Sequence, residues 1–130
     1  MAFQASHKYA RISPRKARLL MDLVRGRDVD DAINLLRFAK QRASGMVEKV
    51  IRSAVANANE REVAPRNTLY VSEARVDAGP VIKRFQPKDR GKAYAIMKRT
   101  SHLEIALDER ATNKAYKAKP VVGGRPGRAR

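Results

Sequence analysis

LYVSEARVDAGPVIKRFQPKDRGKAYAIMKRTSHLEIAL, Leu69 to Leu107, contains two runs of extended character around a break holding Pro87 and Gly91. Ile and Tyr occur in both arms, with Val in the first and Thr in the second, so residues 69–85 and 93–107 are expected to form two long strands of a β-hairpin. Near its end the second arm alternates cleanly. Leu103, Ile105 and Leu107 share one face and His102 and Glu104 the other, which marks this base as lying on a core. Farther out, Lys83 beside Arg84 and Lys98 beside Arg99 put adjacent charges on opposite faces, so neither face there packs on the chain's own core. Fifteen extended residues, Leu69 to Lys83, reach about 50 Å, against a radius of gyration of about 14 Å for a compact chain of this length. The hairpin, about 79–100, therefore projects, with Gly79 and Pro80 expected to bend it.

Upstream, the spacing changes from two to that of a helix. After a short strand-like start, Ser13 and Pro14 suit an N-cap and a first helical position, and Ala17, Leu20, Met21 and Val24 form a buried stripe ending at Gly26. Arg15, Arg18 and Arg25 lie on the opposite side. Arg15 and Lys16 occupy the first turn, where the helix dipole disfavours cations, so this end is expected to be an anion site. A second helix opens at Asp28, with Asp30 and Asp31 complementing its dipole, and carries Val29, Ala32, Ile33 and Leu36 inward. The third has the longest stripe, from Met46 through Val47, Val50, Ile51, Ala54 and Val55 to Ala58, and is expected to end near Pro65. The expected fold class is α+β: three helices packed on a three-stranded antiparallel sheet, with the long hairpin projecting.

Downstream of the hairpin, residues 111–130 carry six cations, no acid, two prolines and three glycines, the composition of a disordered tail that orders along a phosphate backbone. Residues 1–110 are expected to be a single domain.

The 130 residues include 29 Lys plus Arg against 13 Asp plus Glu, a formal charge of +16. Such a charge repels itself in the compact state and favours a polyanion, nucleic acid above all. An isolated two-stranded ribbon is marginal in water, so this one is expected to be held by its anionic partner. Cysteine is absent, which excludes disulfides and thiolate metal sites. No apolar run reaches the roughly 18 residues of a membrane span, and none resembles a signal peptide, so a soluble, intracellular protein is expected. Catalysis finds no convergent group. Ser101 and His102 point to opposite faces of a strand, His7 stands alone, and Asp28, Asp30 and Asp31 are explained by the helix they open. The expectation is no enzyme, no catalytic residue, no cofactor, no metal and no small-molecule substrate. A DNA-binding, nucleoid-type protein using the ribbon in a groove is the alternative. Membrane-surface binding is disfavoured because the apolar stripe of the basic first helix is already committed to the core.

The motifs SPRKARLL at Ser13–Leu20, AxANA at Ala54–Ala58, and GP..KR..P...GKA......KRTSH from Gly79 to His102 resemble the family of large-subunit ribosomal protein L twenty-two, in its bacterial form. The resemblance spans roughly residues 5–109. It implies a cytoplasmic, ribosomal protein that binds large-subunit ribosomal RNA, supports its assembly and lines the peptide exit tunnel with its hairpin. The implied partners are that RNA, neighbouring large-subunit proteins including L four at the tunnel constriction, and the nascent peptide transiently, with macrolides binding nearby. With the charge pattern, it marks Arg11, Arg15, Lys16, Arg18, Lys83, Arg84, Lys98, Arg99, Thr100, Ser101 and His102 as RNA-binding. The implied tunnel-facing tip is Arg84, Phe85, Gln86, Pro87, Lys88, Asp89, Arg90, Gly91 and Lys92. Here the sequence departs from the usual Pro-Arg-Ala-x-Gly-Arg-Ala: two arginines become Lys88 and Lys92, which lack the planar fork of guanidinium, and Asp89 adds an anion.

Overall fold

The computed structural model describes residues 2–61 and 66–110. Its elements run β1 (Phe3–Ala10), α1 (Pro14–Val24), α2 (Val29–Phe38), α3 (Ala43–Glu60), a 3-10 turn (Arg66–Thr68), β2 (Leu69–Ala78), β3 (Ile82–Asp89), β4 (Lys92–Lys98) and β5 (Ser101–Glu109). The end of the third helix expected near Pro65 and the basic tail expected over 111–130 lie outside the described residues.

Each helix begins where the local chemistry permits. Ser13 is extended, Pro14 supplies the first helical φ, and the Ser13 carbonyl accepts from the Ala17 amide at 3.2 Å, although the Ser13 hydroxyl makes no capping bond. Pro14, Ala17, Leu20, Met21 and Val24 are buried, as the stripe requires. Along α3 the buried residues Ala43, Val47, Val50, Ile51, Ala54, Val55 and Ala58 keep the same period and lie on the sheet, chiefly on β1 and β5.

The sheet is antiparallel in the order β1-β5-β2, so β5 is its centre. Phe3, Leu69, Val71, Leu103, Ile105 and Leu107 point from it into the same core as the helices. The outer edge of β2 is sealed by the connection between α1 and α2: the Gly26 amide donates to the Val71 carbonyl at 2.8 Å and the Val71 amide to the Arg27 carbonyl at 2.9 Å. An edge covered in this way offers no template for strand pairing.

The two long arms expected from the sequence are each broken once. β2 pairs with β5 inside the body, while β3 and β4 form a separate two-stranded ribbon. The expected interruption at Gly79 and Pro80 is present, and a second one, at Arg99 and Thr100, lies opposite it. These two breaks clasp each other. The Gly79 amide donates to the Thr100 carbonyl at 2.9 Å and the Thr100 hydroxyl donates to the Pro80 carbonyl at 2.6 Å. A Cβ on Gly79 would lie 2.5 Å from Thr100 Oγ1 and 3.2 Å from the Thr100 carbonyl carbon, so glycine is demanded by the close approach of the two strands.

At the far end, the turn is Arg90–Gly91, with Gly91 at φ 74°. Pro87, expected in that turn, instead stands within β3 opposite Ala93. A two-stranded ribbon has an open edge on both strands, where a missing amide N–H is tolerated. A register shift between Pro87 and Asp89 follows at once.

Candidate nucleic-acid interface

Where the ribbon leaves the body, a cleft of about 560 Å³ opens between α1, α3 and the strands. Six cations line it: Arg11, Lys16, Arg42, Arg84, Lys98 and Arg99, with Ile12, Ser13, Ile82 and Met97 completing the wall. No acid is among the lining residues. Ser13 stands at the start of α1 and Arg42 at the start of α3, and neither helix has an acid in its first turn, so the positive ends of two helix dipoles add to the same field. Three segments distant in sequence thus build one positive concavity of the kind that attracts phosphate.

Pairing distinguishes these cations from several arginines elsewhere. Among the described residues, none of the six forms an ion pair, whereas Arg25 pairs with Asp22 at 2.8 Å, Arg52 with Glu48 at 2.6 Å and Arg110 with Asp28 at 3.0 Å. The outer face of the sheet has the opposite character. There Arg75 contacts Glu104 and lies 3.3 Å from Asp77, and those carboxylates, Glu104 foremost, push its pKa above the ordinary arginine value. Arg75 is therefore a permanently charged member of a closed network rather than a free cation.

The structure divides the residues singled out from sequence. Arg11, Lys16, Arg84, Lys98 and Arg99 meet in the cleft. Arg15 is exposed on α1 but does not line it. Arg18, read from sequence as part of an outward basic face, reaches instead to the Val76 carbonyl on the β2 edge at 3.2 Å, and Arg25 likewise to the Ala74 carbonyl at 2.6 Å. Thr100 and Ser101 are 4% and 0% exposed, so their side chains belong to the body. Thr100 forms the clasp, and Ser101 Oγ has no hydrogen-bond partner among the described residues. His102 is half-buried; its Nδ1 accepts from the Tyr9 amide at 3.0 Å and its ring meets the Tyr9 ring edge-on at 4.9 Å. That contact holds Tyr9 at a positive φ of 58°, in the irregularity where β1 slips register between His7 and Ala10.

Sequence reasoning missed Arg42. Its signal was the polar run Lys40, Gln41, Arg42 directly before the third apolar stripe, a helix start with basic rather than acidic residues.

Along the ribbon the register Lys83↔Met97, Phe85↔Ala95 and Pro87↔Ala93 puts those six residues on one face. Ile82, Arg84 and Gln86 share the other with Tyr94, Ile96 and Lys98. Lys83 and Arg84 do point to opposite faces, but Arg99 lies outside the strands, so the expected symmetry of charge is broken. At the tip, from Arg84 to Lys92, every residue is exposed. Asp89 accepts from the Tyr94 hydroxyl at 3.0 Å and Lys88 Nζ stands 5.8 Å over the same ring, which ties the tip anion and one of the substituted lysines to a single aromatic.

Among the described residues no group of three His, Cys, Asp or Glu could hold a metal ion, and no described helix is long and apolar enough to cross a membrane.

Residues 5–108 match the family described as Ribosomal protein L22p/L17e. The chain is 48% identical over 110 residues to the large ribosomal subunit protein uL22 of Bdellovibrio bacteriovorus, covering 85% of this chain and 100% of that protein. It is 50% identical over 104 residues to the uL22 of Magnetococcus marinus, covering 80% and 92%. With the uL22 of Clostridium novyi it shares 47% over 111 residues, covering 85% and 100%. With the basic ribbon and cleft found within that span, the chain belongs to the family of Ribosomal protein L22p/L17e.

Proposed function

We propose that the cleft at the ribbon root grips the phosphate backbone of large-subunit ribosomal RNA, and that the ribbon extends from this grip into the peptide exit tunnel beside protein L four. The family carries the coarser statement plainly: the chain is a structural component of the large ribosomal subunit, in the cytoplasm, and not an enzyme. The observation that supports the finer reading is the six-cation cleft without an acid. Leaving so many like charges together is unfavourable unless a polyanion neutralises them, and neutralisation releases counterions as a further driving term.

In this reading Arg11, Lys16, Arg42, Arg84, Lys98 and Arg99 contact phosphates directly, Arg15 and Lys83 extend the basic surface, Thr100 acts by holding the ribbon's root, and Ser101 lies buried in the body beside it. Arg18 serves the body from a fixed seat on β2. His102 serves the body through Tyr9. The exposed tip meets the tunnel lumen, where the nascent peptide passes and where macrolides bind.

The test is the salt dependence of binding to a large-subunit RNA fragment. Replacing Arg11, Arg42, Lys98 and Arg99 together with Ala should make the log-log slope shallower by about 3, at roughly 0.7 per phosphate contact, with the helical circular dichroism unchanged. An unchanged slope overturns the cleft as the phosphate grip. Excess duplex DNA should not displace the RNA; if it does, the ribbon serves a DNA-binding function instead.

A further inference from the structure

The two faces of the ribbon ask for different things. One carries Arg84 and Lys98 and runs into the cleft. The other is apolar: Phe85, Pro87, Ala93 and Ala95, reaching Met97 at the cleft wall, with Lys83 as its single charge. Phe85 stands at its centre, 79% exposed. Directly opposite is Ala95, so the cross-strand neighbour of the phenyl ring is no larger than a methyl group.

We propose that this face is a stacking site for one unpaired nucleobase of RNA, seated against the Phe85 ring and over Ala95. The proposal rests on the RNA-binding reading above and adds to it a contact with a base rather than a phosphate. A lone exposed aromatic is ordinary on a protein surface. Three observations set Phe85 apart.

The first is that the ribbon's second aromatic is already engaged: Tyr94 gives its hydroxyl to Asp89 and its ring to Lys88, while Phe85 makes no ring contact among the described residues. The second is that a cation stands near each end of the apolar stripe, Lys83 on it at the root and Arg90 in the turn beyond its tip, with no acid among the stripe's residues. From Lys83 to Pro87 the stripe is about 13 Å long, room for a base with a phosphate on either side. A nucleotide presents a flat apolar surface and a negative charge in one unit, the combination this face complements. The third is that a two-stranded ribbon is marginal with either face in water, so the apolar face needs cover as the cationic one does. Phenylalanine has no hydrogen-bonding group, so the site accepts a base for its π-face without reading its identity.

The chain has no tryptophan, so F85W introduces a single indole at the site. The full-length variant is titrated with an oligoadenylate and with a strand of equal length whose central residues are abasic, the two matching in phosphates. The expected result is at least twofold quenching of the indole on the intact strand and little on the abasic one. F85A should weaken the intact strand by about fivefold to a hundredfold, the range of one lost stacked base, and leave abasic binding unchanged. If the intact strand binds without quenching the indole, or both strands quench it equally, the stacking site is overturned while RNA binding stands, and the face belongs to an apolar protein neighbour. If neither strand binds at low salt, the RNA-binding reading falls and this inference with it.

Discussion

The body and the ribbon use the same residue type in opposite ways. In the body, several arginines are consumed internally: Arg18 and Arg25 sit on β2 carbonyls, Arg52 on Glu48, and Arg75 on Glu104 and Asp77. At the ribbon and its root, Arg11, Arg42, Arg84 and Arg99 have no carboxylate partner among the described residues. Paired guanidinium stabilises the fold locally, whereas unpaired guanidinium held in a concavity is stabilised only when something else arrives. The distribution of partners, more than the distribution of charge, separates the arginines that are satisfied within the body from those left open to an outside anion, RNA in the function proposed above.

The largest expected effect tests the seam between the two regions. G79A sets a Cβ against Thr100 Oγ1 and its backbone, and should cost about 1–3 kcal/mol in urea unfolding followed by circular dichroism. In a T100A background the same change should cost less, because the nearest clash is gone. A loss under about 0.5 kcal/mol would mean that the seam has slack and that ribbon and body are not set against each other as a rigid joint.

A crossed pair of single variants sharpens the contrast next. R18A frees the Val76 carbonyl and should lower stability by about 0.5–1.5 kcal/mol while leaving the salt slope of RNA binding unchanged. R42A should do the reverse, with stability within about 0.5 kcal/mol of the parent and the slope shallower by about 0.7. Should R18A move the slope as far as R42A, the division between consumed and available arginines fails.

The smallest effect concerns Ser101. Its hydroxyl is buried without a partner among the described residues, so S101A should be neutral or raise stability by up to about 1 kcal/mol, with RNA affinity unaltered. Weakened RNA binding in S101A would move this residue from the body to the interface.

Much of this contrast was legible in the sequence. The stripes of α1, α2 and α3 follow from helical period alone, and the projecting hairpin follows from chain reach and from Lys83 beside Arg84. What escaped was set by distance in space. Alternation within a strand carries no sign of the break at Arg99 and Thr100, which exists because Gly79 lies against it across the ladder. Nor does a helical projection reveal that Arg18 and Arg25 can reach the β2 edge, so both read as part of an open basic face. Pro87 was assigned to the turn on residue type, but the open edge of the ribbon accommodates it in β3. Arg42 drew no notice in the sequence because only the folded chain brings the starts of α3 and α1 to the same cleft.

One consequence concerns the order in which the chain is made. Both β1 and β2 find their hydrogen-bonding neighbour in β5, so Phe3 waits for Leu107 and Leu69 for Glu109. During synthesis the first strand emerges about a hundred residues before its mate, and the apolar faces of all three helices have no sheet to cover until then. A chain halted after the ribbon, short of Ser101, would own every helix and both outer strands yet lack the body's sheet. The last strand therefore completes the whole body at once.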